Sequence, residues 1–328
     1  MNPVAQNFSH KLSIAPMMDR TDRHFRYFLR LISKHTLLYT EMISSGAIIH
    51  SEQDRLLEYS QSEHPVALQL GGNDPVELAY CAELAAQLAY DEINLNIGCP
   101  SDRVQSARFG ACLMAEPELV AECVAAMINQ VDIPVTVKTR IGIDDRDSYE
   151  ELVNFIEKVS DAGCKTFIIH ARKAWLKGLS PKENREIPPL QYETVYQLKK
   201  DFPSLEIIIN GGFISIDQIL DQYHHVDGVM IGRAVYQNPY LLADVDKIIF
   251  QDHSPVKSRH EILEEFMEYV EQNLSRGVYL SHMTRHILGL FQGQTGARAF
   301  RRTISELAYQ SGAGIDVLKR AASKVFSG

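Results

Sequence analysis

Cys99 ends the run "EINLNIGCP" and is followed at once by a proline, so its thiol is either a small buried hydrophobe or a group held out for chemistry. It has polar company at the ends of other strand-like runs. Met17 and Met18 close "KLSIAPMM", Glu41 lies in "LLYTEMI", Gln69 in "PVALQLGG", and Asn96 just ahead of Cys99. Lys138 and Arg140 end "PVTVKTRIG", His170 and Arg172 end "TFIIHARK", Asn210, Gly211 and Gly212 end "EIIINGG", and Gly232 and Arg233 follow "GVMI". The glycines of "NGG" and "IGR" let backbone N–H groups approach phosphate oxygens, and Arg233 adds charge. Lys138, His170 and Gln69 supply hydrogen-bond donors, while Ala15, Pro16, Met17 and Met18 form a flat, polarisable wall suited to an aromatic ring. Together these suggest a phosphorylated flavin such as FMN. No G-x-G-x-x-G follows a strand, so a resident dinucleotide is not indicated and a nicotinamide reductant would visit transiently.

Such residues can act together only where strand ends meet on one face. Eight short β-branched runs alternate with helical stretches up to about residue 245, as in a parallel sheet closed on itself. The helix in "DPVELAYCAELAAQLAY" is opened by Asp74 as N-cap and Pro75 at its first position, and that in "DSYEELVNFIEKVSDAGC" closes near Gly163. The pattern predicts an α/β fold, a (β/α)8 TIM barrel with its active site at the C-terminal strand ends. Beyond residue 245 the strand pattern stops, and "SRHEILEEFMEYVEQNLSRG" and "AASKVF" sit among helix formers. Residues 1–245 are therefore expected to be the cofactor-binding barrel and 246–328 a separate C-terminal all-α helical domain.

Composition narrows the class. The 328 residues are 45% hydrophobic and 23% charged, with no apolar run long enough for a membrane and no signal-peptide core in "MNPVAQNFSH", so a cytoplasmic location is expected. The five cysteines include no C-x-x-C pair, which argues against a disulfide framework and against a zinc or iron–sulfur site. No metal is expected, and cysteine chemistry must come from a single thiol. Net charge is −9, yet no acidic residue lies between Glu271 and Glu306, where Arg276, Arg285, Arg298, Arg301 and Arg302 stand. A second acid-free stretch, Ala162 to Lys182, carries Lys165, Arg172, Lys173, Lys177 and Lys182. Two such runs in an acidic chain point to an anion-binding face.

The segments "APMMDRTDRHFR", "VALQLGG", "EINLNIGCPSDRVQSARFGACLM", "PVTVKTRIG", "FIIHARKAWLKGLSPKENREIPPL", "INGG" and "GVMIGR" resemble, in order and spacing, the tRNA-dihydrouridine synthases. The stretch "ARKAWLKGLSPKENREIPPL" and the ending "HILGLFQGQTGARAFRR" resemble the A subfamily in particular. The resemblance implies an FMN-bound barrel with a C-terminal helical RNA-binding domain. It further implies NADPH-dependent reduction of uridine to 5,6-dihydrouridine in the D-loop of tRNA, at U20 and U20a. By the same resemblance Pro16, Met17, Met18, Gln69, Lys138, His170, Asn210, Gly211, Gly212, Gly232 and Arg233 match FMN contacts, and Cys99 matches the catalytic acid. Asn96 matches a contact to the target nucleotide, while Lys182, Arg185, Arg298 and Arg301 match positions that orient tRNA. No stable protein partner is implied.

That chemistry fits the residues. Hydride arrives at C6 of uracil from the flavin and a proton must reach C5 from the opposite side of the ring. An ordinary thiol, of pKa about 8.5, is mostly protonated near pH 7 and can supply it as a general acid. The uracil must be extruded from the folded tRNA and paired by its edge to side chains such as Asn96 and Arg172. Two rivals make different demands. A flavin barrel reducing a free pyrimidine or other small molecule leaves the arginine-rich helical segment unexplained. An RNA-binding barrel without catalysis would bind no flavin.

Overall fold

The computed structural model describes residues 8–51 and 56–325. Eight strands close into one barrel in chain order, every neighbouring pair parallel. They are β1 (Leu12–Ile14), β2 (Leu37–Ser44), β3 (Val66–Gly71), β4 (Glu92–Ile97), β5 (Val135–Arg140), β6 (Thr166–His170), β7 (Glu206–Asn210) and β8 (Gly228–Ile231). Closure is made by β1 on β8, with Leu12 opposite Val229 and Ile14 opposite Ile231. The (β/α)8 barrel predicted from the run pattern is thus the observed fold.

Side chains alternate between the two faces of each strand. On β4, Ile93, Leu95 and Ile97 join the apolar layer beneath the surrounding helices, and on β5 Val135 and Val137 do the same. Glu92, Asn94, Asn96, Thr136 and Lys138 take the opposite face, inside the barrel. There they share space with a small apolar set that includes Tyr39, Ala67, Ile168, Ile208 and Met230.

Two runs differ from their expected ends. β1 stops at Ile14, and although the Ala15 amide still donates to Ile231 O at 2.7 Å, Pro16 has no N–H to extend the ladder. Met17 and Met18 therefore lie in a loop. β2 continues to Ser44, with an irregular register between Tyr39 and Met42, so Glu41 sits within the strand at a bulge. The helices follow their caps. Asp74 accepts from the Val76 and Glu77 amides at the start of helix Pro75–Gln87. Helix Tyr149–Asp161 begins with Ser148 accepting from the Glu151 amide.

No strand occurs after Ile231 among the described residues, and the chain continues as helices Arg259–Ser275, Leu280–Thr284, Ala297–Leu307 and Ile315–Ala322. The first opens with a capping box between Ser258 and Glu261. The last ends at Ala322, so only the start of "AASKVF" is helical, and Phe326 lies outside the described residues. Gly296 begins helix Ala297–Leu307 at φ 89°, where a Cβ would fall 1.9 Å from Lys324 O, so only glycine allows the chain end to cross there. These helices pack on helix Arg23–Ile32 of the barrel: Tyr27 stacks on Tyr269 at 3.9 Å and Phe28 meets Phe266 edge-on at 5.2 Å. Helix Val245–Ile249 begins at position 245, with Asp246 accepting from Ser33 Oγ at 2.6 Å. No described helix is long and apolar enough to cross a membrane.

Candidate active site

The turn after β4 is shaped by one side chain. Asn96 Oδ1 accepts from the Gly98 amide at 3.1 Å and the Cys99 amide at 2.9 Å, so the chain folds back over the end of its own strand. Pro100 follows this turn; the capture by Asn96 forms it. The Cys99 carbonyl accepts from the Ala111 amide at 2.9 Å, and a Cβ on Gly110, at φ 78°, would lie 2.6 Å from that carbonyl oxygen. Backbone anchors on both sides thus leave the thiol half-buried at the barrel mouth, with Sγ 3.5 Å from Ser101 Oγ. The other cysteines differ. Cys81, Cys123 and Cys164 are buried and pushed up to about 12 by that burial, and Cys112 donates to Phe109 O.

The structure brings most of the expected cofactor residues together around Cys99. Gln69 Oε1 accepts from Asn96 Nδ2 at 2.9 Å. Asn96 lies opposite Lys138 in the β4–β5 ladder, and Lys138 Nζ donates to Asn210 Oδ1 at 3.1 Å. Asn210 is opposite His170 in the β6–β7 ladder and is held by its own bond to Met230 O at 2.8 Å. Tyr192 donates to Gly211 O at 2.6 Å, and a Cβ on Gly211 would fall 2.8 Å from the His170 ring. Gly232 opens toward the β1 loop, where a Cβ would touch only Ala15 at 3.4 Å and Met17 Sδ at 3.7 Å. Pro16 and Met17 are half-buried there, and Met18 is exposed.

Charge in this ring is one-sided. Burial and the neighbouring Arg140 push Lys138 down to about 7. Burial also lowers Arg140 to about 10 and holds His170 well below the usual histidine range, with Arg140 and Lys138 adding to the His170 shift. Among the described residues Lys138, Arg140, Arg172 and Arg185 have no ion pair with a carboxylate. Positive charge outweighs the one carboxylate beside it, Glu186, which suits an anionic group. The residues present therefore fit a phosphorylated flavin. Among the described residues the one trio with metal-ligand spacing is His35, just before β2, with Asp246 and Asp252, and its carboxylates are already engaged by Ser33, Lys34, His35 and Ser254.

The remaining expected residues are more dispersed. Arg172 Nη1 donates to Glu186 O at 3.4 Å and also to Pro188 O. Arg233 pairs with Glu186 at 2.7 Å and donates to Arg185 O at 3.1 Å. Lys182 precedes the short 3-10 turn Glu183–Arg185 and Arg185 ends it, and both are exposed. Arg298 and Arg301 lie on helix Ala297–Leu307, apart from the strand ends; Arg301 donates to Gln292 at 3.2 Å, and Arg298 has no side-chain hydrogen bond or ion pair among the described residues. The C-terminal acid-free run is less bare in space than in sequence, because Arg302 pairs with Glu306 and Arg285 with Asp22.

Sequence reasoning missed the residues beneath the ring. Asn94, Thr136 and Glu92 support Gln69 from inside the barrel, as the alternation in "EINLNI" and "VTVKTR" could have indicated. Asn184, fully buried, binds the Trp175 amide and carbonyl and orders the loop after β6.

A closed parallel barrel with polar strand ends, a half-buried thiol on the turn after β4 and a predominantly basic cluster defines a barrel whose mouth suits an anionic ligand. The sequence profile of the dihydrouridine synthase (Dus) family matches residues 13–326, and the chain belongs to that family. It is 64% identical over 318 residues, 97% of each chain, to a protein of Vibrio vulnificus named tRNA-dihydrouridine(20/20a) synthase. Proteins of the same name from Synechocystis (60% identity, 97% of this chain and 95% of the other) and Pasteurella multocida (59%, 99% and 100%) are similar throughout. Solved structures share the fold at low identity. An old yellow enzyme homologue from Zymomonas mobilis superposes with a TM-score of 0.51 at 12% identity, covering 75% of this chain and 90% of that one. A 2-naphthoyl-CoA reductase does so with 0.56 at 11%, covering 72% and 50%.

Proposed function

We propose that the protein is a tRNA-dihydrouridine synthase that reduces uridine to 5,6-dihydrouridine in the tRNA D-loop, at U20 and U20a, with bound FMN and NADPH as transient reductant. The observation that carries this reading is the half-buried Cys99 thiol on the turn after β4, beside Asn96 and next to the strand that bears Lys138. When bound and reduced, FMN would supply the hydride for C6. Cys99 Sγ holds the proton that C5 receives from the other side of the ring.

Pro16, Met17 and Met18 would form the wall against the cofactor ring, and Gln69, Lys138, His170 and Asn210 would bind its polar groups. Gly211, Gly212, Gly232 and Arg233 would hold the phosphate. Asn96 and Arg172 hold the extruded uracil, while Lys182, Arg185, Arg298 and Arg301 orient the tRNA. In this division of labour residues 1–245 catalyse and 246–328 bind tRNA, in the cytoplasm.

The test has two parts. The purified protein should absorb at about 450 nm through bound flavin. Mapping of dihydrouridine in tRNA from cells lacking and then regaining this chain should show loss and return at U20 and U20a. An unchanged map would refute the reading, and turnover of free uridine without RNA would favour the small-molecule rival.

A further inference from the structure

A single line of hydrogen bonds climbs the inside of the barrel from its N-terminal end to the Cys99 turn. At the base, Glu92 accepts from His10 Nε2 at 2.5 Å, from Tyr39 at 2.5 Å and from Thr136 Oγ1 at 2.6 Å. Thr136 Oγ1 accepts from Asn94 Nδ2 at 2.8 Å, Asn94 Oδ1 from Gln69 Nε2 at 2.8 Å, and Gln69 Oε1 from Asn96 Nδ2 at 2.9 Å. Asn96 Oδ1 then takes the Gly98 and Cys99 amides. Glu92, Asn94, Gln69 and Thr136 are all at most 1% exposed.

A side-chain amide can be turned over with almost no change of shape, so three in a row need their orientation dictated from outside. Here both ends dictate the same answer. The Thr136 hydroxyl commits its one proton to the Glu92 carboxylate and can only accept from Asn94. Asn94 must then present NH2 to Thr136 and oxygen to Gln69, and Gln69 must present NH2 to Asn94 and oxygen to Asn96. At the other end backbone N–H groups can only donate, so Asn96 must present its oxygen to them. Reversing one amide alone would set donor against donor or acceptor against acceptor in a buried site, the costly arrangement.

We propose that Glu92, Thr136 and Asn94 are positioning residues for the reaction: they fix which atoms Gln69 and Asn96 turn toward the barrel mouth and so hold the turn that carries Cys99. The inference rests on the functional reading above, in which Gln69 contacts the cofactor and Asn96 the target base. With this polarity, the second N–H of Asn96 is a donor, which matches a uracil carbonyl oxygen and opposes an exocyclic amine in its place.

Thr136→Val removes the hydroxyl at nearly constant shape, and Thr136→Ser restores it. Two measurements are compared: the rate of Cys99 alkylation by iodoacetamide in flavin-free protein, read by mass spectrometry, and single-turnover uridine reduction by pre-reduced enzyme. Thr136→Val should change the alkylation rate and slow uridine reduction by about ten-fold or more, the size of effect typical of lost support behind a working ligand. KM for tRNA should stay near wild type, and Thr136→Ser should recover both altered rates. A lower melting temperature with unaltered alkylation and reduction would mean a structural role only and overturn the proposal, as would a serine variant no better than valine. Should Thr136→Val not fold, neutron diffraction on wild-type crystals reads the amide orientations directly, and one reversed amide among Asn94, Gln69 and Asn96 overturns it. A wild-type protein that reduced no tRNA uridine would sink the functional reading, while the alkylation and neutron experiments would still decide the relay.

Discussion

Asp22 Oδ2 accepts from Arg285 Nη2 at 2.6 Å and lies 2.9 Å from His286 Nε2, while Oδ1 caps helix Arg23–Ile32 through the His24 and Phe25 amides. One carboxylate therefore joins the loop after β1 to the C-terminal helices. Burial alone would raise its pKa, but the hydrogen bond and charge of His286, the Phe25 amide and Arg285 outweigh it and hold Asp22 well below the usual carboxylate range. A depressed folded-state pKa stabilises above the unfolded value of about 3.9 and loses that contribution as pH falls below it. Asp22→Asn should cost about 1–3 kcal/mol at pH 7 and flatten the acid side of the stability profile. Urea unfolding of both proteins between pH 3 and pH 7 checks this, and parallel profiles would rule the carboxylate out.

Lys138→Ala and Arg233→Ala should both weaken FMN retention. The loss should be larger for Lys138, since Arg233 is already shared with Glu186. Because Lys138 is pushed down to about 7, an anionic ligand must restore its proton at higher pH. Affinity for FMN should then fall as pH rises above 7, with proton uptake on binding visible by calorimetry in two buffers. That dependence should vanish in Lys138→Ala. Full flavin occupancy in both variants would show the cofactor residues to be misassigned.

Cys99→Ala should bind FMN and oxidise NADPH as wild type does, yet reduce uridine roughly 10²–10⁴-fold more slowly, the effect expected of a lost general acid. Rapid-mixing measurement of the two half-reactions separates them. An equal loss in both would make Cys99 structural. Cys123→Ala, in the outer core, serves as control and should leave turnover nearly unchanged.

Arg298→Ala and Arg301→Ala should each weaken tRNA binding and make the slope of log affinity against log salt shallower by roughly 0.7–0.9. Three residues apart on helix Ala297–Leu307, they can follow the same backbone. Arg302, tied to Glu306 at 2.7 Å, should change the slope less. Affinities at three or more salt concentrations decide the matter; unchanged slopes for Arg298 and Arg301 would refute the grip.

The barrel was legible because its outer layer is written as continuous apolar runs, and strand-end residues such as Lys138, His170 and Asn210 stand where each run stops. The interior was not. Glu92 and Asn94 look like interruptions in an apolar strand until the barrel closes and sets them against Thr136 and Gln69 from other strands. Pairing across distance was equally hidden. Nothing near Arg285 in the chain announces Asp22, which lies 263 positions away.

The aromatic seam between helix Arg23–Ile32 and helix Arg259–Ser275 sets a limit on modular engineering. Tyr27 and Phe28 belong to the same continuous core as Phe266 and Tyr269, so a chain cut at residue 245 would leave a greasy stripe in water, and the severed helices would carry its mirror image. Transplanting the C-terminal helices onto another barrel would require carrying over the receiving face of that first helix, together with the acid that caps it.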